Sequence, residues 1–293
     1  MANLGLDPDF VRRLAQLSLV SRRILSGRMR GERRSKKRGI SIEFADYRDY
    51  APGDDLRFLD WNIYGRLDRL FLKLFLEEED LFLYLLIDKS LSMAYGNPRK
   101  IDAAARAAAA LGYIALCDLD RVSVSAFSGG EEVSLRPQRG RAATWRLFDF
   151  LENVEPEGET DTHAAARRFL LRNKRRGIVV YLSDLLDPAG YEEALKAIAA
   201  SGMDLYVIHM LAEEEVDPDL AGDYKLVDVE TAEPVEVTAS APMRRSYRRV
   251  LEGFCATAKA FCARRAVGYT FTTTAVPFDE LVLRYLRSAG LVR

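Results

Sequence analysis

Five oxygen-bearing side chains fall at or just beyond apolar stretches of this chain. Asp88-x-Ser90-x-Ser92 follows the run 81–87, and Asp184 follows the run 178–182 with Ser183 between. Thr160 stands in Gly158-Glu159-Thr160, just before a helical pattern that opens at 162. Two carboxylates and three hydroxyls are hard donors, suited to magnesium or calcium and not to zinc. The alternation at 88, 90 and 92 lets three side chains converge where a chain turns sharply after a strand. Hydroxyl ligands carry no charge, so a divalent cation held by this set keeps residual positive charge and an open position for a partner's carboxylate. Magnesium is the expected cation, with manganese and calcium as alternatives. Asp-x-Ser-x-Ser by itself arises by chance in about one chain in ten of this length, and Asp161 or Thr162 also reads as a plain helix cap. What raises the pattern above chance is the placement of three separate segments at one expected sheet edge.

Such convergence needs a scaffold that gathers strand ends. Apolar strand patterns lie at 81–87, 122–127, 178–182, 205–210 and 268–273, separated by helical patterns at 99–117, 141–152, 162–173, 189–201 and 245–265, with a last helix at 277–288. Ile178-Val-Val-Tyr-Leu182 is nearly all apolar, as expected of a strand covered on both faces. Strands alternating with helices predict an α/β fold with an open, doubly wound, mostly parallel sheet, whose ligands bind beyond the carboxyl ends of the strands. A hairpin is expected as an insertion near 224–237. Upstream, Phe10, Val11, Leu14, Leu17 and Leu25 have helical spacing over 8–25, and a basic linker follows. Residues 40–80 read as strands and turns rather than helices, with 70–77 and 81–87 as two strands joined by a tight acidic turn. The expected regions are therefore an N-terminal helix and linker over 1–39, a β-rich region over 40–80 and the α/β domain over 81–293.

With 293 residues, 48% hydrophobic and 30% charged, the chain can bury a sizeable core. A net charge of -1 gives no global pull toward nucleic acid or membranes. Between Arg22 and Arg38, however, nine Lys/Arg face a single acid, Glu32. That run is the alternative surface, for nucleic acid or anionic lipid heads, although it has little aromatic interleaving. Cys117, Cys255 and Cys262 make no C-x-x-C pair, and two histidines are too few for a histidine-rich metal site. The first thirty residues lack the apolar core of a signal peptide and no run is long enough to span a bilayer, so a soluble cytoplasmic protein is expected. Phosphate-cradling glycine motifs and the serine-hydrolase elbow are absent. Metal-assisted hydrolysis has no obvious general base here, so a non-enzymatic binding role is expected ahead of it.

Asp88-x-Ser90-x-Ser92, Thr160 and Asp184 resemble, in the same chain order, the metal-ion-dependent adhesion site of von Willebrand factor A domains. The stretch Glu43-Phe-Ala-Asp-Tyr-Arg-Asp-Tyr-Ala-Pro-Gly-Asp-Asp-Leu-Arg57, followed by Asp60-Trp61 and Arg66, is similar to the signature of the bacterial DUF58 family, over roughly residues 20–215. Adhesion-site loops commonly read Gly-Gly-Thr where this chain has Gly158-Glu159-Thr160. The resemblance implies a metal-binding, protein-interaction role and a MoxR-type AAA+ ATPase as partner, in chaperone-like maturation or complex assembly. Asp46, Arg48, Asp54, Asp55, Arg57 and Trp61 suit an ion-pair network that docks the N-terminal strands on the main sheet, with Trp61 packed in the core. A partner-facing surface is the alternative for this signature.

Overall fold

Residues 82–88 are buried without exception, so the strand they form must be covered on both faces. In the computed structural model this strand, β3 (Phe82–Asp88), lies inside a six-stranded sheet. Residues 44–75, 81–129 and 132–277 are described, together with single positions 12, 14, 15, 17, 19, 280, 281 and 291. The chain divides into two compact units, Gly27–Asp80 and a larger one of Met1–Ser26 with Leu81–Arg293. Most of the expected helix at 8–25, the basic run 22–38 and most of the expected helix at 277–288 lie outside the described residues.

In the smaller unit, β1 (Phe44–Asp49) pairs antiparallel with β2 (Phe71–Phe75). Between them, the short helix α1 (Trp61–Leu67) corrects the expectation of strands and turns alone. The reason is local: Asp60 caps it, its Oδ1 accepting the amides of Asn62 at 2.9 Å and Ile63 at 3.2 Å. Asp60 Oδ2 meanwhile takes the Tyr47 hydroxyl and the Lys73 ammonium, each at 3.1 Å, so a nearly buried carboxylate organises the unit. Arg48 pairs with Asp54 at 2.7 Å and Arg57 with Asp55 at 2.8 Å, both partly exposed. Trp61 is not a core residue. It is 63% exposed, edge-on to Tyr64 on the helix surface.

The larger unit is built on β3, β4 (Arg121–Phe127), β5 (Glu132–Arg139), β6 (Ile178–Ser183), β7 (Asp204–Leu211) and β10 (Gly268–Thr273). Their spatial order is β10-β7-β6-β3-β4-β5, parallel throughout except for β5. The sheet is thus mixed α/β and mostly parallel, as the strand–helix alternation predicts. β5 was not expected, because its Glu132-Val-Ser-Leu-Arg-Pro-Gln-Arg139 is an exposed edge without an apolar run. The two strands expected at 70–77 and 81–87 are present as β2, which pairs with β1, and β3, which pairs with β4 and β6, while the turn expected between them lies outside the described residues.

Alternate β3 residues feed two cores, as period-two side chains must. Leu83, Leu85 and Ile87 meet helices α2 (Lys100–Cys117) and α3 (Thr144–Glu152). Phe82, Tyr84 and Leu86 belong to the cluster holding α4 (Thr162–Arg172), α5 (Glu192–Ala200) and α7 (Ala241–Ala263). A run of alanines lets α2 lie close on the sheet, and Ala104, Ala107, Ala108, Ala109 and Ala110 are wholly buried. Gly177 enters β6 where a Cβ would stand 2.2 Å from the Phe82 carbonyl oxygen, so only glycine allows the two strands to start side by side. After β7 comes the single turn α6 (Glu213–Val216), then β8 (Gly222–Val227) and β9 (Pro234–Ala239), an antiparallel hairpin at the position of the expected insertion.

Candidate functional site

From β3 the chain passes to β4 on one side, while β6 lies on the other. Strand order therefore reverses between β3 and β6, and a crevice is expected outside their carboxyl ends. Asp88 ends β3, and Ser183 ends β6 with Asp184 next.

Four of the five sequence-predicted residues, Asp88, Ser90, Ser92 and Asp184, are gathered there, and Thr160 is linked to them through one further residue. Asp88 and Asp184 are wholly buried. Asp88 Oδ1 accepts the Ser90 amide at 3.0 Å, and Oδ2 accepts the Ser183 hydroxyl at 2.8 Å. The Ser90 and Ser92 hydroxyl oxygens are 3.0 Å apart, and Ser92 donates to Asp184 Oδ2 at 2.8 Å. Thr160 joins through a residue the sequence did not flag: its hydroxyl donates to Glu230 Oε1 at 3.0 Å and its amide to Oε2 at 3.0 Å. The same Oε1 takes the Ser92 amide at 3.3 Å.

Backbone bonds hold these loops in register. The Leu91 amide donates to the Gly158 carbonyl at 2.9 Å, and the Gly129 amide to the Glu159 carbonyl at 2.6 Å. Gly158 has φ +69 and lies against Ser128, which suits glycine at that turn. Glu159 is exposed. Asp161 caps α4 by accepting the Ala164 amide at 2.8 Å, as the cap reading of Asp161 expects. Asp187 ties down the helix start by accepting the Thr162 amide at 2.8 Å and hydroxyl at 2.7 Å.

Charge is concentrated here. Burial, then the neighbouring Asp184 carboxylate, push the Asp88 carboxyl up to about 7. Lys100 bridges Asp184 Oδ2 at 2.7 Å and Glu215 Oε1 at 2.6 Å with its own side chain fully buried. Burial acts to lower its ammonium, yet the two carboxylates outweigh it and hold its pKa above the ordinary value. Lys100 had only a weak signal in the sequence, as the second of two cations, after Arg99, where an alanine-rich helix opens. Glu230 had none, because it belongs to a hairpin tip far along the chain. Among the described residues no three His, Cys, Asp or Glu side chains are grouped to hold a metal. The set at this edge is instead two carboxylates with hydroxyls.

A family model described as "Protein of unknown function DUF58" matches residues 46–253. The chain belongs to the DUF58 family. It is also similar to uncharacterized proteins of Mycobacterium bovis and Mycobacterium tuberculosis, each 27% identical over 248 residues, covering 83% of this chain and 78% of the relative. Among solved structures it is similar to BatB from Bacteroides thetaiotaomicron, with a TM-score of 0.44 and 15% identity over 71% of this chain and 98% of that one. It is similar also to the pilus adhesin SpaC from Lactobacillus rhamnosus GG in its open conformation, with a TM-score of 0.46 and 11% identity over 74% of this chain and 31% of that one. Among the described residues of this DUF58 chain, no helix is long and apolar enough to cross a membrane.

Proposed function

We propose that this DUF58 protein is a non-enzymatic, cation-dependent protein-interaction module with a von Willebrand factor A-like fold. Asp88, Ser90, Ser92, Thr160 and Asp184 hold a divalent cation, magnesium first, and an acidic side chain completes its coordination. One observation carries the reading. Two wholly buried carboxylates and three hydroxyl-bearing residues from separate loops converge at the carboxyl ends of β3 and β6, where strand order reverses.

The donor set fits the ion. Hard oxygen ligands favour magnesium, manganese or calcium. Burial and the neighbouring Asp184 carboxylate raise the cost of ionising Asp88, and Lys100 contacts Asp184 and Glu215, so a cation beside Asp88 relieves a repulsion that Lys100 does not reach directly. When bound, the ion supplies a positive centre for a carboxylate. The chain's own residues orient it and exclude water. The proposed partner is a MoxR-type AAA+ ATPase, which rests on the family resemblance alone.

Calorimetric titration of the full chain with magnesium or manganese tests the site. One binding event is expected, lost in Asp88→Ala while circular dichroism stays unchanged. Equal binding by wild type and variant would sink the reading. For the partner, co-purification with a MoxR-type ATPase should fail in chelator and in Asp184→Ala. A complex that survives both treatments rules out this edge as the contact.

A further inference from the structure

Glu230 lies 70 residues from Thr160 and 138 from Ser92, yet its carboxylate is bonded to both of their loops. From 221 to 236 every residue is exposed except Glu230, which is partly buried. The hairpin tip is shaped to present it. Asp228 Oδ1 accepts the amides of Glu230 at 2.9 Å and Thr231 at 2.8 Å, and the Ala232 amide returns to the Asp228 carbonyl at 2.9 Å. Ala232 takes φ +59, a left-handed turn residue that closes the tip. The β8–β9 strands meanwhile present mainly exposed residues, including Leu226, Val227 and Val235. The tip thus makes its most specific contact through one acid, placed on the Thr160 hydroxyl and on two backbone amides at the rim of the candidate site.

We propose that Glu230 is the site's own acidic ligand. The β8–β9 hairpin is a latch that fills, from within the chain, the position an acidic segment of a partner protein takes when it binds, and the partner's carboxylate displaces it. The cation half of this statement rests on the function proposed above; the latch half stands on the hydrogen bonds alone. A tethered acid acts at an effective concentration of order millimolar. The partner's apparent affinity is therefore reduced by the fraction of molecules in which the latch is open. Opening exposes the Thr160 hydroxyl and the Ser92 and Thr160 amides together, so one movement presents the whole set of donors to an incoming carboxylate.

Hydrogen exchange on the full chain tests the latch without the ion. In chelator, Glu230→Ala should exchange about tenfold faster than wild type at 228–233 and at the Thr160 amide. Equal exchange at both places overturns the latch. Glu230→Gln keeps an acceptor but not the charge, and should fall between the two. Repeating the measurement with manganese separates the two proposals. Added protection at the tip that is lost in Glu230→Ala supports a ligand role, whereas manganese binding through Asp88 with no effect at the tip removes Glu230 from the coordination and leaves the cation site standing. If manganese binds neither protein, the cation reading fails and the chelator result still decides the latch. Competition is read with the peptide acetyl-Gly-Glu-Gly-amide in magnesium, followed by chemical-shift titration. It should bind Glu230→Ala about fivefold or more tightly than wild type, and the absence of any preference overturns the displacement step.

Discussion

Lys100 and Asp184 meet at 2.7 Å with neither side chain exposed. The lysine comes from the first turn of α2 and the aspartate from the loop after β6, so one ion pair pins a helix start to the sheet edge that carries the candidate site. Glu215, itself holding the Ala212 amide at 2.7 Å, shares the ammonium and brings α6 into the same arrangement. Removing one member of a buried pair leaves the other as an uncompensated charge, which costs more than the pair is worth intact.

Lys100→Met should therefore lower stability by roughly 3–5 kcal/mol in chelator, read by urea denaturation. A divalent cation should restore part of that loss, since it answers the charge that Lys100 vacates. A Lys100→Met protein as stable as wild type would show that Asp184 does not need the ammonium.

Trp61→Ala should change stability by no more than about 0.5 kcal/mol, because the indole is 63% exposed and its ring contact is with Tyr64 on its own helix. Denaturant midpoints decide it. A loss of several kcal/mol would place Trp61 against something that covers it.

The strand ends were legible because β3 and β6 are short, almost wholly apolar runs followed at once by oxygen-bearing residues. Burial on both faces writes such strands directly into composition. The edge strand β5 left no such trace, since its residues are mostly exposed and form no apolar run. Trp61 was misread for a related reason: the aromatic and charged residues around it gave no periodicity to separate a surface helix from a packed strand. Asp60, which caps that helix and holds Tyr47 and Lys73, explains more of the local structure than Trp61 does. Asp88, Ser90, Ser92 and Asp184 could be placed at one sheet edge from position alone. Glu230 could not, since only tertiary folding brings the tip of β8–β9 to Thr160.

His209 offers a pH test. It is buried in β7 beside Phe254, Tyr269 and Phe271, with Nδ1 2.8 Å from the Tyr269 hydroxyl, and burial pushes its pKa from 6.5 down to about 4. Between these values the unfolded chain takes up a proton that the folded one refuses. The stabilising contribution is thus complete above about pH 6.5 and is lost as pH falls through 4, by roughly 3 kcal/mol at most. Asp88 titrates in an overlapping window with the opposite sign, so the readout is the difference between His209→Phe and wild type. That difference should shift in favour of the variant from pH 7.5 to pH 4.5. A constant difference would show that His209 does not titrate there.

Asp88→Asn separates stability from binding. Asparagine keeps the shape, and its carbonyl still accepts the Ser90 amide, while its amide can donate to Ser183 Oγ. What disappears is one of two carboxylates buried together, which in the absence of a cation repel each other. In chelator at pH 8 the variant should therefore be more stable than wild type, by roughly 0.5–2 kcal/mol, a gain of the kind found where a site is kept at the expense of the fold. Adding magnesium or manganese should raise the wild-type melting temperature and leave the variant's unchanged, because a ligand stabilises only the protein that binds it. The two curves should cross or converge as the ion is titrated. A variant less stable than wild type in chelator would mean that the Asp88 charge is already neutralised by the protein, and that no cation is needed at this edge.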